Sequence, residues 1–205
     1  MGKRVKIALA VLSLALVGVI VWHLAQPSEP EPVYKGRTLT SWLKPDPRAR
    51  TMMWRSSPGY YESDEAVIQI GTNAIPTLLR LLRARDSALK VKAIQLLQYQ
   101  HVIAVEHIPA RLWNEVAVWG FSALGTNAQR AVPALIEIAK GDISSSSRKC
   151  AIACLDSTGP AAKEAVPYLL QWATNADYEV RTYAKSALLK IAPEAAAKAE
   201  ITSVP

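Results

Sequence analysis

Cysteine, histidine and glycine are scarce here, and each shortage removes a class of function. Only two cysteines, Cys150 and Cys154, occur in 205 residues. They lie four apart in one apparent helix, so they do not face each other across two elements as a disulfide requires. With no second cysteine pair or histidine beside them, they read as small buried apolar residues rather than a redox or metal pair. Of three histidines, His23 lies in an apolar run, and His101 and His107 stand six apart with Glu106 adjacent. A spacing of six does not put both rings on one helical face, so no metal site is read from them. The nine glycines never assemble a phosphate-binding loop, because Gly-Thr-Asn-Ala at 71 and 125 and Gly-Pro-Ala-Ala at 159 lack its further glycines and lysine. No serine stands in a strand–turn–helix context, and no carboxylate pair has an evident reason for shifted acidity. The sequence therefore assigns no catalytic residue, cofactor or metal, and the chain is read as a non-enzyme.

Long hydrophobic runs are absent but for one. Ile7 to Ala25 contains no acidic or basic side chain except His23. As a helix it would rise roughly 28 Å, about one hydrocarbon thickness. Lys3, Arg4 and Lys6 before it, and Glu29 and Glu31 after it, favour a cytoplasmic N-terminus. The rival reading is a cleaved signal peptide ending at Ala25. The apolar run is longer than the ~7–15 residues of a signal core, and His23 fits poorly in the small-residue cleavage pattern. The expectation is an uncleaved single-pass anchor that places the rest of the chain outside the cytoplasm, on the periplasmic side of the cell membrane. Gln26 to Pro32 alternates proline with polar residues and reads as an extended linker.

Half the residues are apolar, mostly Ala and Leu, with a single Phe, a composition that suits helices better than sheets. The later half repeats. Gly125-Thr126-Asn127-Ala128 leads to Ala131-Val132-Pro133-Ala134-Leu135, and Gly159-Pro160-Ala161-Ala162 leads to Ala165-Val166-Pro167-Tyr168-Leu169. Both glycines and both prolines are 34 residues apart, a period that signals stacked helical pairs. Pro76 opens an earlier copy, 91 residues before Pro167, with a shorter turn after Gly71. The expected helices run over Thr38–Leu43, from a Ser63 cap to Gly71, Pro76–Arg83, from Asp86 or Ser87 to Tyr99, Pro109–Leu124, Pro133–Lys140, Ser144–Leu155, Pro167–Ala173 and Asp177–Ile191, with a half-unit after Pro193. Pro58-Gly59 is a turn signal.

Val180-Arg181-x-x-Ala184-x-x-Ala187-Leu188 after Asp177 resembles a helix of a HEAT-type repeat, and the short period points to the HEAT-like class of phycobilisome lyases. Tyr34-x-Gly36-x-x-Leu39-x-x-Trp42-Leu43, Gly71-Thr72-Asn73-Ala74-x-Pro76, and Gly120-Phe121-x-x-Leu124-Gly125 with Ala131-Val132-Pro133 are similar, in that order, to membrane-anchored bacterial HEAT-repeat proteins. The resemblance covers roughly residues 33–192. It implies an all-α fold, a short armadillo-like α-solenoid, with a scaffold or binding role and no reaction. The pigment binding of the lyases is not carried over.

The expected organisation is a cytoplasmic 1–6, a transmembrane anchor at 7–25, a linker at 26–33, an N-terminal capping segment at 34–71 and a repeat domain at 72–205. The formal charge of +7 is unevenly spread. Lys35, Arg37, Lys44, Arg48, Arg50 and Arg55 face only Asp46, and Arg80, Arg83, Arg85, Lys90 and Lys92 face only Asp86. From Arg111 onward the charges nearly balance. The basic half could meet anionic lipid, an acidic partner, or solvent alone. Nucleic acid is not expected, because a basic balance alone is unspecific and the expected compartment lacks it. The favoured function is binding of a protein partner on a surface lined by the proline-opened helices, taken as the second helix of each pair and as the concave side. Arg80, Arg83, Lys90, Trp54 and Trp172 are the candidate contact residues. The alternative is a small-ligand or lipid site, or an enzyme, using Arg55, Arg80 and His101.

Overall fold

The computed structural model describes residues 30–45, 58–88, 91–92 and 107–201, side chains of 58–61 excepted. The apolar run Ile7–Ala25, Trp54, Arg55, Lys90 and His101 lie outside them. Among the described residues no helix is long and apolar enough to cross a membrane. The chain divides into two compact units, Met1–Glu31 and Pro32–Pro205, and every element below belongs to the second.

The described residues of that unit are mostly helical. The unit opens with a hairpin that the sequence reading did not anticipate. β1 (Val33–Tyr34) pairs antiparallel with β2 (Arg37–Thr38), Val33 opposite Thr38 and Tyr34 opposite Arg37. Its two turn residues, Lys35 and Gly36, both have positive φ, the backbone that matches a two-residue turn to strand twist. Thr38 then caps α1 (Leu39–Trp42), accepting a hydrogen bond from the Ser41 N–H. Leu39 and Leu43 enter the core.

Among the described residues four long helices follow: α2 (Pro58–Ile70), and, counting the short helices between them, α4 (Ala110–Leu124), α6 (Ser145–Thr158) and α8 (Tyr178–Ile191). The short helices are α3 (Ile75–Leu82), α5 (Val132–Lys140) and α7 (Val166–Trp172), and α9 (Pro193–Lys198) ends the series. Each short helix carries its proline in the first turn, where a missing N–H costs nothing. Before each lies a 3₁₀ corner, Gly71–Ala74, Gly125–Ala131 or Gly159–Ala165. All three opening glycines have φ between +52° and +65°, a region that L-residues avoid. The fourth residue of each corner, Ala74, Ala128 or Ala162, is fully buried. The side chains of Thr72, Asn73, Thr126 and Asn127 are exposed.

The repeat is visible in what it buries. Ala117, Gly120, Phe121 and Leu124 on α4 correspond to Ala151, Cys154, Leu155 and Thr158 on α6, and to Ala184, Ala187, Leu188 and Ile191 on α8; all are buried. On the short helices, Leu78, Leu135 and Leu169 coincide and are fully buried. One position, Gly120, Cys154 and Ala187, admits only small residues. A methyl group on Gly120 would stand 2.4 Å from Leu78 Cδ2. Cys154 is thus a close-packing residue, and its full burial holds the thiol well above its ordinary pKa. Burial likewise pushes the Cys150 thiol up to about 11, and both cysteines are free.

Several boundaries differ from the sequence reading. Pro58-Gly59 does not turn the chain but starts α2, so Ser63 is buried inside the helix rather than capping it. Ser63, Ala66, Val67 and Ile70 form its inner face. On α3, Leu81 is buried and Leu79 only half so. The Asp86 carboxylate accepts a hydrogen bond from the Ala110 N–H at 2.9 Å, and so caps α4 across the chain. Pairing also differs. Each short helix packs chiefly on the long helix that follows it, α3 on α4, α5 on α6 and α7 on α8. The proline-opened helix is therefore the first member of its pair. The long helices α4, α6 and α8 pack directly side by side, while the short helices do not approach one another comparably.

Candidate partner-binding surface

The short helices present a solvent face in strict register. Pro76, Pro133 and Pro167 form one row, Arg80, Glu137 and Gln171 a second, and Arg83, Lys140 and Thr174 a third, and all nine are exposed. The spacing of each set, i, i+4, i+7, is one stripe of a helix. Opposite it lie the buried leucines at 78, 135 and 169.

The candidate residues fare differently on this frame. Arg80 lies on the stripe, and its Nη2 donates to Thr40 Oγ1 at 3.1 Å. Arg83 is exposed one turn later. Trp172 does not belong to the surface. It occupies the position of Leu81 and Ile138, is buried like them, and packs beside Tyr168 with ring centroids 6.0 Å apart. The alignment with Leu81, which is legible in the sequence, already pointed to a core role. Trp54 and Lys90 lie outside the described residues.

Sequence reading missed the cluster that gathers at α1. The Arg37 guanidinium sits over the Trp42 ring, 4.0 Å from its centroid, and Nη2 donates to Ser41 O at 3.1 Å. Trp42 Nε1 donates to Tyr34 O at 3.0 Å. The Tyr34 hydroxyl donates to Glu65 Oε1 at 2.8 Å, and Lys35 Nζ to the same oxygen at 3.1 Å. These contacts hold the Glu65 carboxyl below its ordinary pKa, the hydrogen bond from Tyr34 first among them, and hold Lys35 above its own through Glu65. The turn pair Lys35-Gly36 was the available signal.

The long-helix side is bonded to itself. Ser122 Oγ meets Ser157 Oγ at 2.8 Å, Asp156 accepts from Ser186 at 3.4 Å and pairs with Lys190 at 3.6 Å, and Lys149 pairs with Glu179. Hydrogen bonding to Glu179 keeps the Lys149 pKa raised. On the short-helix side, by contrast, no hydrogen bond or ion pair joins one short helix to another among the described residues. One cation–π contact crosses there, Lys140 Nζ 5.3 Å above the Tyr168 ring.

Beneath the surface, Asn114 ties α4 to the end of α3. Its Nδ2 is placed to donate to the carbonyls of Leu81, Leu82 and Ala84 at 3.0–3.2 Å. Ser147 Oγ on α6 adds a 2.7 Å bond to Leu82 O. Three helices thus share the C-terminal carbonyls that α3 cannot satisfy alone. His107 turns to Asp86, with Nε2 3.5 Å from its carboxylate. Among the described residues no group of three or more His, Cys, Asp or Glu is placed to hold a metal ion. No family model, curated protein or solved structure matches the chain.

Proposed function

We propose that the chain is a non-enzymatic scaffold, a short HEAT-like α-solenoid held at the membrane by Ile7–Ala25 and displayed outside the cytoplasm, which binds a protein partner. The observation that carries this reading is the registered stripe on α3, α5 and α7. A surface repeated at one helix per unit offers an extended partner successive equivalent contacts, which is how repeat architectures recognise proteins. The residues of the long-helix side spend their polar groups on one another, whereas Arg83 and Gln171 stand exposed for intermolecular bonds. Arg80 and Arg83 serve as contacts, with Arg suited to interfaces by its planar donor fork.

The test is crosslinking and affinity purification of the full-length, membrane-extracted protein beside R80E/R83E, with equal urea midpoints confirming that both are folded. A defined protein recovered with the native chain and lost from the variant supports the reading. No partner in either sample overturns it.

A further inference from the structure

The stripe on α3, α5 and α7 repeats in geometry but not in charge. At the end of α3, Arg83 and Arg85 are exposed, and neither makes a side-chain hydrogen bond or ion pair among the described residues. Asp86 is the one acid between positions 80 and 92, and it turns to α4 instead. Its carboxylate accepts the Ala110 N–H at 2.9 Å and faces His107 at 3.5 Å. The equivalent positions after α5 are Lys140 and Asp142. Lys140 is held by Glu137 at 2.9 Å and lies over the Tyr168 ring. Asp142 is exposed, 4.0 Å from Arg148. After α7 the equivalents are Thr174 and Ala176, both uncharged and exposed. The stripe is therefore positive at one end only.

We propose that the partner of this surface carries an extended acidic segment, laid across the stripe with its carboxylates on Arg83 and Arg85 and uncharged side chains on α5 and α7. The proposal rests on the scaffold reading given above and adds the chemistry and direction of the partner. Complementary charge fixes register as well as attracting a partner. An arginine fork pairs a carboxylate through two parallel N–H donors. A carboxylate shifted onto the α5 step would meet Asp142 and a lysine already paired. Gln171 and Thr174 offer hydrogen bonds that need no charge. The long helices pack directly side by side, so successive steps are about 8–10 Å apart. Two steps take about five or six residues of an extended chain at ~3.3 Å each. A helical partner would need about twelve at ~1.5 Å.

The test uses the full-length chain in extracts of the cells that make it, membranes included, with two crosslinking chemistries. p-Benzoylphenylalanine in place of Thr174 captures whatever lies at the α7 end, whatever its charge. A carbodiimide joins carboxylates to amines without a spacer, so Arg83→Lys makes the α3 contact reactive, and Thr174→Lys is the control. Mass spectrometry locates both sites on the captured chain. The expected result is one polypeptide captured both ways. It is joined to the amine of Arg83→Lys through an Asp or Glu about five or six residues from its photo-crosslinked position, and Thr174→Lys gives about tenfold less carbodiimide product. Three results overturn the acidic extended segment and leave the partner reading standing: capture at 174 without joining at 83, equal joining from Thr174→Lys, or sites about twelve residues apart. If position 174 captures no protein, the partner reading falls and this inference falls with it.

Discussion

At the residue scale the corners and the small-residue slot carry the sharpest constraints. Gly125 takes a φ of +52° with ψ near −129°, a combination that side chains other than hydrogen disfavour by about 1–3 kcal/mol. Gly125→Ala should lower stability by that amount although open space surrounds the site, and a urea midpoint would measure it. Gly120→Ala should cost a similar 1–3 kcal/mol for the opposite reason, overpacking against the fully buried Leu78. Glu65 gives a pH-dependent contact. Its folded pKa is lowered, so its contribution is present above the ordinary carboxyl value of 4.5 and is lost as pH falls through the folded one. Backbone amide shifts of Tyr34 to Arg37 should move with that acid titration in the native chain and stay still in Glu65→Gln.

At the scale of elements, α3 depends on its neighbours for an end. Asn114→Ala would leave the carbonyls of Leu81, Leu82 and Ala84 short of a buried donor, a loss of about 1–3 kcal/mol. Ser147→Ala should cost less alone, and the double variant more than the sum, because either donor alone still satisfies Leu82 O and only their joint loss leaves it bare. A double-mutant cycle by urea unfolding would show that coupling, and strict additivity would deny it. Such a device was closed to sequence reading. Asn114 and Ser147 sit on helices more than thirty residues from Leu81, and nothing local marks either as a cap. What was legible was periodic: Pro76, Pro133 and Pro167 opening short helices, the glycines at 71, 125 and 159 stopping long ones, and Asp177 capping α8 through the Glu179 and Val180 N–H groups. Pro58-Gly59 misled because the same dipeptide that turns a chain also suits a helix start. The pairing of helices was misjudged because a period fixes spacing, not which neighbour each short helix packs on. Trp172 was named as a candidate contact, although its alignment with Leu81 marked it as core.

At the scale of the whole unit, one continuous core runs from Leu39 on α1 to Ala196 on α9. In a stack each layer is stabilised by the next, so both ends need covering. At the N-terminal end Leu39 and Leu43 of the α1 segment join the core. At the other, α9 packs against α8, bringing Ala196 and the partly buried Ile201 onto the cluster that contains Leu188 and Ile191. Ending the chain at Ala192 should therefore expose apolar surface on α8. Removing water-excluded area of the size of one or two aliphatic side chains costs about 2–5 kcal/mol. The truncated chain should unfold at lower urea and bind a hydrophobic dye in its native baseline. If its midpoint and dye binding match those of the full chain, α9 rests on the stack without closing it, and α8 must terminate the core by itself.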